Sequence, residues 1–346
     1  MSHLYDEIHE QPEVIARLIS AESHTAARIS GELRQRPIRY ILIAARGTSD
    51  NAATYGKYLF SSVLHLPVGL AAPSLYTIYH TPPRTGPEAL VIGISQSGES
   101  PDIVAVVDEA RRQGAATLAI TNELDSPLGQ TAEYAIACHA GSELSVAASK
   151  TYTAQLTALA LLAAHWSADE TRKAQILQLP EAMQHTLGLG AAVRTRIERY
   201  RYMEACVVLG RGYNYPTAHE IALKMKELTY ILIDSYSSAD FMHGPVAVIE
   251  QGFPVILVAP SGEVYPDMLA LARDLKDKGA ELIAISDRPE ALDMAITPLQ
   301  LPVTMPEWLS PMVCVIPGQL MAHDLTVAKG FEPDHPRGLR KVTLTH

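Results

Sequence analysis

The run Ala89-Leu90-Val91-Ile92-Gly93-Ile94-Ser95-Gln96-Ser97-Gly98-Glu99-Ser100-Pro101-Asp102 changes character at Ser95. Apolar residues give way to three hydroxyls, an amide and a glycine, and a new apolar pattern begins just past Pro101. The first part reads as a buried strand and the last as the start of a helix. Ser95, Ser97 and Ser100 offer hydroxyl donors, Gln96 offers an amide, and Gly98 lets the backbone approach a ligand closely. Neutral donors at a helix N-terminus suit a phosphate monoester, because unpaired N–H groups and the helix dipole both favour an anion. The same residue types also make ordinary helix caps, so spacing alone leaves both readings open.

Three further groups have the chemistry of proton and carbonyl work, each with an everyday alternative. Glu227 follows Lys224 by three positions on a helical pattern, which also describes a surface ion pair. His243 begins His-Gly-Pro, which can be a plain turn, and Lys341 can be a solvated tail charge. A carboxylate can serve as a base toward a C–H proton. Histidine exchanges protons near neutrality. A lysine beside a carbonyl can form an imine. None of this requires a metal or cofactor, and no Cys/His/carboxylate spacing suggests one.

The elements that must position these residues follow from a repeat. Arg46-Gly47 recurs as Arg211-Gly212, 165 positions on (212 − 47), and Pro101-Asp102 recurs as Pro266-Asp267 at the same offset. Gly114-Ala115 and Gly279-Ala280 keep it as well, so the chain contains a duplication. Each half alternates short β-branched runs with amphipathic helices, which predicts two tandem doubly wound parallel sheets of flavodoxin-like α/β type. The expected organisation is an N-terminal helical segment over 1–35 and a first domain over 36–166. A helical linker over 167–200, a second domain over 201–328 and an irregular tail over 329–346 complete it. In the second half the stretch equivalent to the serine-rich run is Ala259-Pro260-Ser261-Gly262-Glu263, which has lost two donors. That contrast favours anion binding by the first half alone.

Composition bounds the rest. The chain has 346 residues and a formal net charge of −10, which argues against nucleic acid as a partner. The three cysteines lie in apolar runs without CxxC spacing, as reduced thiols of a cytoplasmic protein do. The apolar stretch 152–166 is too short and too interrupted to span a bilayer, and instead suggests a subunit interface.

Taken together, a set of stretches resembles the sugar isomerase (SIS) domain family, and within it the isomerase half of the glutamine–fructose-6-phosphate aminotransferases. They are Glu7-Ile8-x-Glu10-Gln11-Pro12, Arg46-Gly47-Thr48-Ser49, Ser95 to Ser100, Glu143 with Ala148-Ser149-Lys150, and Leu209-Gly210-Arg211-Gly212. Glu220 with Lys224, Lys226 and Glu227, then His243-Gly244-Pro245, and finally Pro336-Arg337 with Lys341, complete the set. The resemblance implies a sugar 6-phosphate, with phosphate on Ser95, Gln96, Ser97 and Ser100, the last standing where the family has threonine. It places Thr48, Ser49 and Ser149 near the sugar. It makes Glu227 the base between C1 and C2, His243 the ring-opening group, Lys341 the imine-forming tail lysine and Lys224 a supporting one. It further implies a homodimer in which His243 reaches the neighbouring subunit's site.

The expected reaction is glucosamine 6-phosphate and water to fructose 6-phosphate and ammonia. The chain enters the isomerase region within its first residues, without the cysteine of a glutaminase domain, and its tail Pro-Arg-Gly-Leu-Arg-Lys-Val-Thr resembles the stand-alone deaminases of the family. A fructosamine-6-phosphate deglycase, an isomerase of another phosphosugar and a non-catalytic phosphosugar sensor are the alternatives.

Overall fold

The computed structural model describes residues 2–341. The last five positions of the expected tail, 342–346, therefore lie outside the described residues. Two compact units form, one from residues 13–143, 150–178 and 340–341, the other from 2–12, 144–149 and 179–339.

The first unit holds a parallel sheet of β1 (Tyr40–Ala44), β2 (Val68–Leu70), β3 (Ala89–Ile94), β4 (Ala116–Thr121) and β5 (Tyr134–Ala137), in the order β2-β1-β3-β4-β5. The second holds β6 (Ala205–Gly210), β7 (Leu232–Ser237), β8 (Pro254–Val258), β9 (Glu281–Ser286) and β10 (Thr297–Gln300), ordered β10-β9-β8-β6-β7. Read from its other edge, the second order repeats the first, and both are the flavodoxin-like 2-1-3-4-5 arrangement. All residues of β3 and β4 are buried, as expected of strands covered on both faces by helices. The duplication keeps its offset at the inner strands: β3 and β8 start 165 positions apart (254 − 89), as do β4 and β9 (281 − 116).

Each strand runs into a helix whose N-terminus lies at the sheet's carboxyl edge, where the chemistry-bearing loops sit. The helix Thr48–Leu64 rests on β1 through Gly56, whose position leaves no room for a side chain: a Cβ there would lie 2.9 Å from Ile43 Cδ1 and 3.5 Å from Leu159. Behind it runs the helix Lys150–Trp166, and this corrects one expectation. The helix is apolar because sixteen of its seventeen residues are buried within the chain, so it is a core element with no free face to offer a second subunit. Its apolar pattern told that the face was covered, not what covered it.

Leu159→Ala should lower the unfolding free energy by about 2–5 kcal/mol through the cavity it leaves. Urea denaturation checks this at two protein concentrations. A loss that shrinks as concentration rises would return the helix to an interface.

Candidate active site

In the first unit, β3 ends at Ile94 and the chain turns through Ser95–Ser100 into the helix Pro101–Arg112. Gly98 has φ +66°, and a Cβ on it would fall 1.9 Å from Ser126 Oγ, so only glycine makes this turn. The hydroxyls shape the loop: the Gly98 N–H donates to Ser95 Oγ at 3.1 Å, and the Glu99 N–H to Ser97 Oγ at 3.3 Å. Ser100 precedes the helix yet makes no capping bond to it; its Oγ stands 3.3 Å from Ser95 Oγ. Ser126 shows the contrast, since it caps its own helix by accepting from the Gly129 N–H. Gln96 fixes the loop to the next strand end through its carbonyl, which accepts from the Asn122 N–H at 3.1 Å. The result is a cup of neutral donors at a helix N-terminus.

An ion pair braces that cup. Arg46 Nε donates to Asp102 Oδ2 at 2.8 Å, with Asp102 only 1% exposed. Arg46 follows β1, and Asp102 lies in the first turn of the cup helix. The second unit repeats the pair as Arg211 and Asp267 at 3.3 Å. The two dipeptides that revealed the duplication are thus the two ends of one bond, which spacing did not show.

Thr48 begins the helix Thr48–Leu64, and the next residue, Ser49, is buried and accepts from Gln155 Nε2 at 3.0 Å. Asp50, in the same turn, is held above the usual carboxylate range by burial, against the opposing pull of Arg46. Lys341 donates to Glu143 Oε2 at 2.9 Å, while Glu143 Oε1 takes the Thr151 N–H at 3.2 Å and is fully buried. Glu143 and Lys341 are 198 residues apart, so no local pattern in the sequence signals their pairing. Ser95, Gln96, Ser97, Ser100, Thr48, Ser49 and Lys341 therefore all belong to this unit.

The second unit carries Lys224, Glu227, His243 and Ser149. On the helix Tyr215–Thr229 the Lys224 ammonium is 3% exposed, 2.8 Å from Glu227 Oε2 and 3.6 Å from Glu220 Oε1. Glu220 is fully buried and Glu227 is 23% exposed, so one buried cation lies between a sealed carboxylate and an accessible one. The surface-pair reading of Lys224–Glu227 does not describe this burial. The i, i+4 spacing of Glu220 to Lys224 was the missed signal. On the same helix His219 is held below its ordinary value by burial, and Nδ1 lies 2.7 Å from Ser235 Oγ.

Ser149 ends the segment 144–149, which the N-terminal helices clamp. The Glu7 carboxylate accepts from the Leu144 and Ser145 N–H groups and from Ser145 Oγ. Gln11 donates to Gln319 Oε1 at 2.8 Å, and Gln319 Nε2 donates to the Ser149 carbonyl at 3.3 Å. His243 lies on an exposed turn after the short helix Ser238–Met242, between exposed Met242 and Gly244. Among the described residues, no group of three or more His, Cys, Asp or Glu could hold a metal ion. The cysteines are free and buried, with burial pushing all three thiols up. No helix among the described residues is long and apolar enough to cross a membrane.

Two tandem doubly wound parallel sheets, the first with a serine-rich turn at one strand end, define the fold class. The family model described as the SIS domain matches residues 35–165 and 204–329, and the chain belongs to that family. It is 36% identical over 344 residues to a glutamine–fructose-6-phosphate aminotransferase (isomerizing) of Thermococcus kodakarensis, covering 97% of this chain and 56% of that protein. The chain thus spans little more than half the length of such relatives. A solved structure from Silicibacter pomeroyi, described as a phosphosugar isomerase, superposes with a TM-score of 0.86 at 33% identity. That match covers 96% of this chain and all of the other. The C-terminal domain of the aminotransferase of Francisella tularensis gives 0.85 at 26% identity, covering 97% and 98%.

Two outcomes test the local physics. Arg46→Ala leaves the buried Asp102 carboxylate without its cation and costs about 1.5–3 kcal/mol in urea unfolding. An unchanged midpoint would mean the pair braces nothing. For His219, the folded pKa lies below the unfolded value of about 6.5, so the unfolded chain takes up the proton first. Stability is therefore complete above about pH 6.5 and falls as pH drops from there toward the folded value. His219→Gln should flatten that part of a stability–pH curve.

Proposed function

We propose that the chain is a phosphosugar isomerase acting on an amino sugar, converting glucosamine 6-phosphate and water to fructose 6-phosphate and ammonia. The observation that carries the proton-transfer step is the buried Lys224 ammonium 2.8 Å from the accessible Glu227 carboxylate. A cation so placed holds the Glu227 carboxylate in one orientation, as a base at a C–H bond requires. The phosphate end is supported by the Ser95–Ser100 cup, whose hydroxyls are spared from capping, and by the helix N-terminus behind it. The amino substituent is supported by the aminotransferase relatives at 36% identity over nearly all of this chain.

In this reading His243 exchanges protons between O5 and O1 to open the ring. Its place on an exposed turn flanked by Met242, 46% exposed, suits delivery to a neighbouring subunit of a homodimer. Glu227 then removes the C2 proton; the electron pair forms the C1–C2 double bond, and the carbonyl π pair moves onto O1, which takes a proton. The C2 proton is returned to C1 as the nitrogen lone pair forms the C2–N double bond and nitrogen gives up a proton. The C2 amine becomes an imine, to which water adds and from which ammonia leaves. Lys341, paired with Glu143, offers its ammonium to the sugar oxygens during these steps and can turn to imine formation once that pair opens. Ser149, Thr48 and Ser49 contact the sugar.

The test is formation of ammonia and fructose 6-phosphate in equal amounts from glucosamine 6-phosphate, without glutamine. Glu227→Gln should lower the rate by about 10²–10⁴-fold while sugar-phosphate binding persists. Binding without product, in wild type, would move the activity to a fructosamine phosphate or another ketose; product that survives in Glu227→Gln would place the base elsewhere.

A further inference from the structure

The second unit has the same strand-to-helix turn as the cup. After β8 the chain passes through Ser261-Gly262-Glu263-Val264 into the helix Tyr265–Asp277. Two carboxylates of the chain fill this turn. Glu307 Oε2 accepts from the Glu263 N–H at 2.9 Å, and Glu307 Oε1 takes the Val264 N–H at 3.4 Å. Asp287 accepts from the Ser261 N–H at 2.7 Å and from Ser261 Oγ at 2.8 Å, and also binds Thr304 Oγ1 at 2.6 Å. The fit is tight: a Cβ on Gly262 would lie 2.3 Å from the Glu307 carboxyl carbon. Glu307 reaches in from 43 residues beyond Val264, so its place is a tertiary arrangement and not a local cap.

We propose that the second half retains the anion cup of the duplicated ancestor and that the side chains of Glu307 and Asp287 are its permanent occupants. The first cup closes on itself with neutral hydroxyls, which keep protons to give to an incoming anion. The second has its backbone donors and its serine hydroxyl bound to carboxylates, and a phosphate arriving there meets two negative charges at contact distance. Glu307 and Asp287 therefore restrict the chain to one phosphate monoester, bound by the first half. This rests on the reading of Ser95–Ser100 as a phosphate cup, but the experiment separates the two.

Binding of inorganic phosphate is measured by equilibrium dialysis at fixed ionic strength, balanced with chloride, for four proteins. They are wild type, the opened variant Glu307→Ala/Asp287→Asn, the closed variant Ser97→Ala/Ser100→Ala, and the combination of all four substitutions. The expected counts are one, two, none and one per chain. An opened variant with the wild-type count overturns the proposal. A wild type that binds none while the opened variant binds one would sink the reading of the first cup and leave the second intact. Should the opened variant unfold in chloride, the proposal requires millimolar phosphate to restore its circular dichroism, since a free anion can stand where the carboxylates stood; failure of that rescue also overturns it.

Discussion

The bond from Arg46 to Asp102 is the constraint around which the first unit's chemistry is arranged. A parallel sheet brings its strand ends to one edge, but nothing in the sheet fixes the loops that leave those ends. Arg46 leaves β1 and Asp102 opens the helix after β3, and these strands are neighbours in the sheet. One charge-assisted bond therefore sets the separation between the turn that starts the Thr48 helix and the turn that forms the cup. Its recurrence as Arg211–Asp267 shows that it belongs to the scaffold and not to one ligand.

With the scaffold shared, the difference between the halves comes from which side chains finish the turns. The first is finished by serines, the second by carboxylates from more distant positions. The second unit supplies the helix on which a sealed glutamate and an accessible one share a lysine. Burying Glu220 and Lys224 one turn apart is costly, and removing the lysine leaves a sealed carboxylate without its cation. Such an arrangement is stable only as a set, which favours its retention as a unit.

Much of this was legible in the sequence. The strand and helix order, the parallel class and the duplication follow from periodicity and from a constant offset, which survive because they are local or repeated. The serine-rich turn was legible as a turn with spare hydroxyls, but not that Ser100 declines to cap its helix; that depends on a backbone angle. Bonds between distant positions could not be read: Glu143 with Lys341, Glu7 with Ser145, Gln11 with Gln319. The helix Lys150–Trp166 was misjudged for a related reason. A uniformly apolar helix declares that it is covered, and only the packing around Gly56 and Leu159 says by what.

The Ser95–Ser100 turn satisfies its own backbone groups, Gly98 through Ser95 and Glu99 through Ser97. Under the proposed phosphate-binding role, a turn already held by these bonds would lose little conformational entropy on capture, so recognition there would be close to rigid docking. A protein of net charge −10 cannot draw an anion in by its overall field. In the proposed role, a receptacle finished before the ligand comes takes the place of that field.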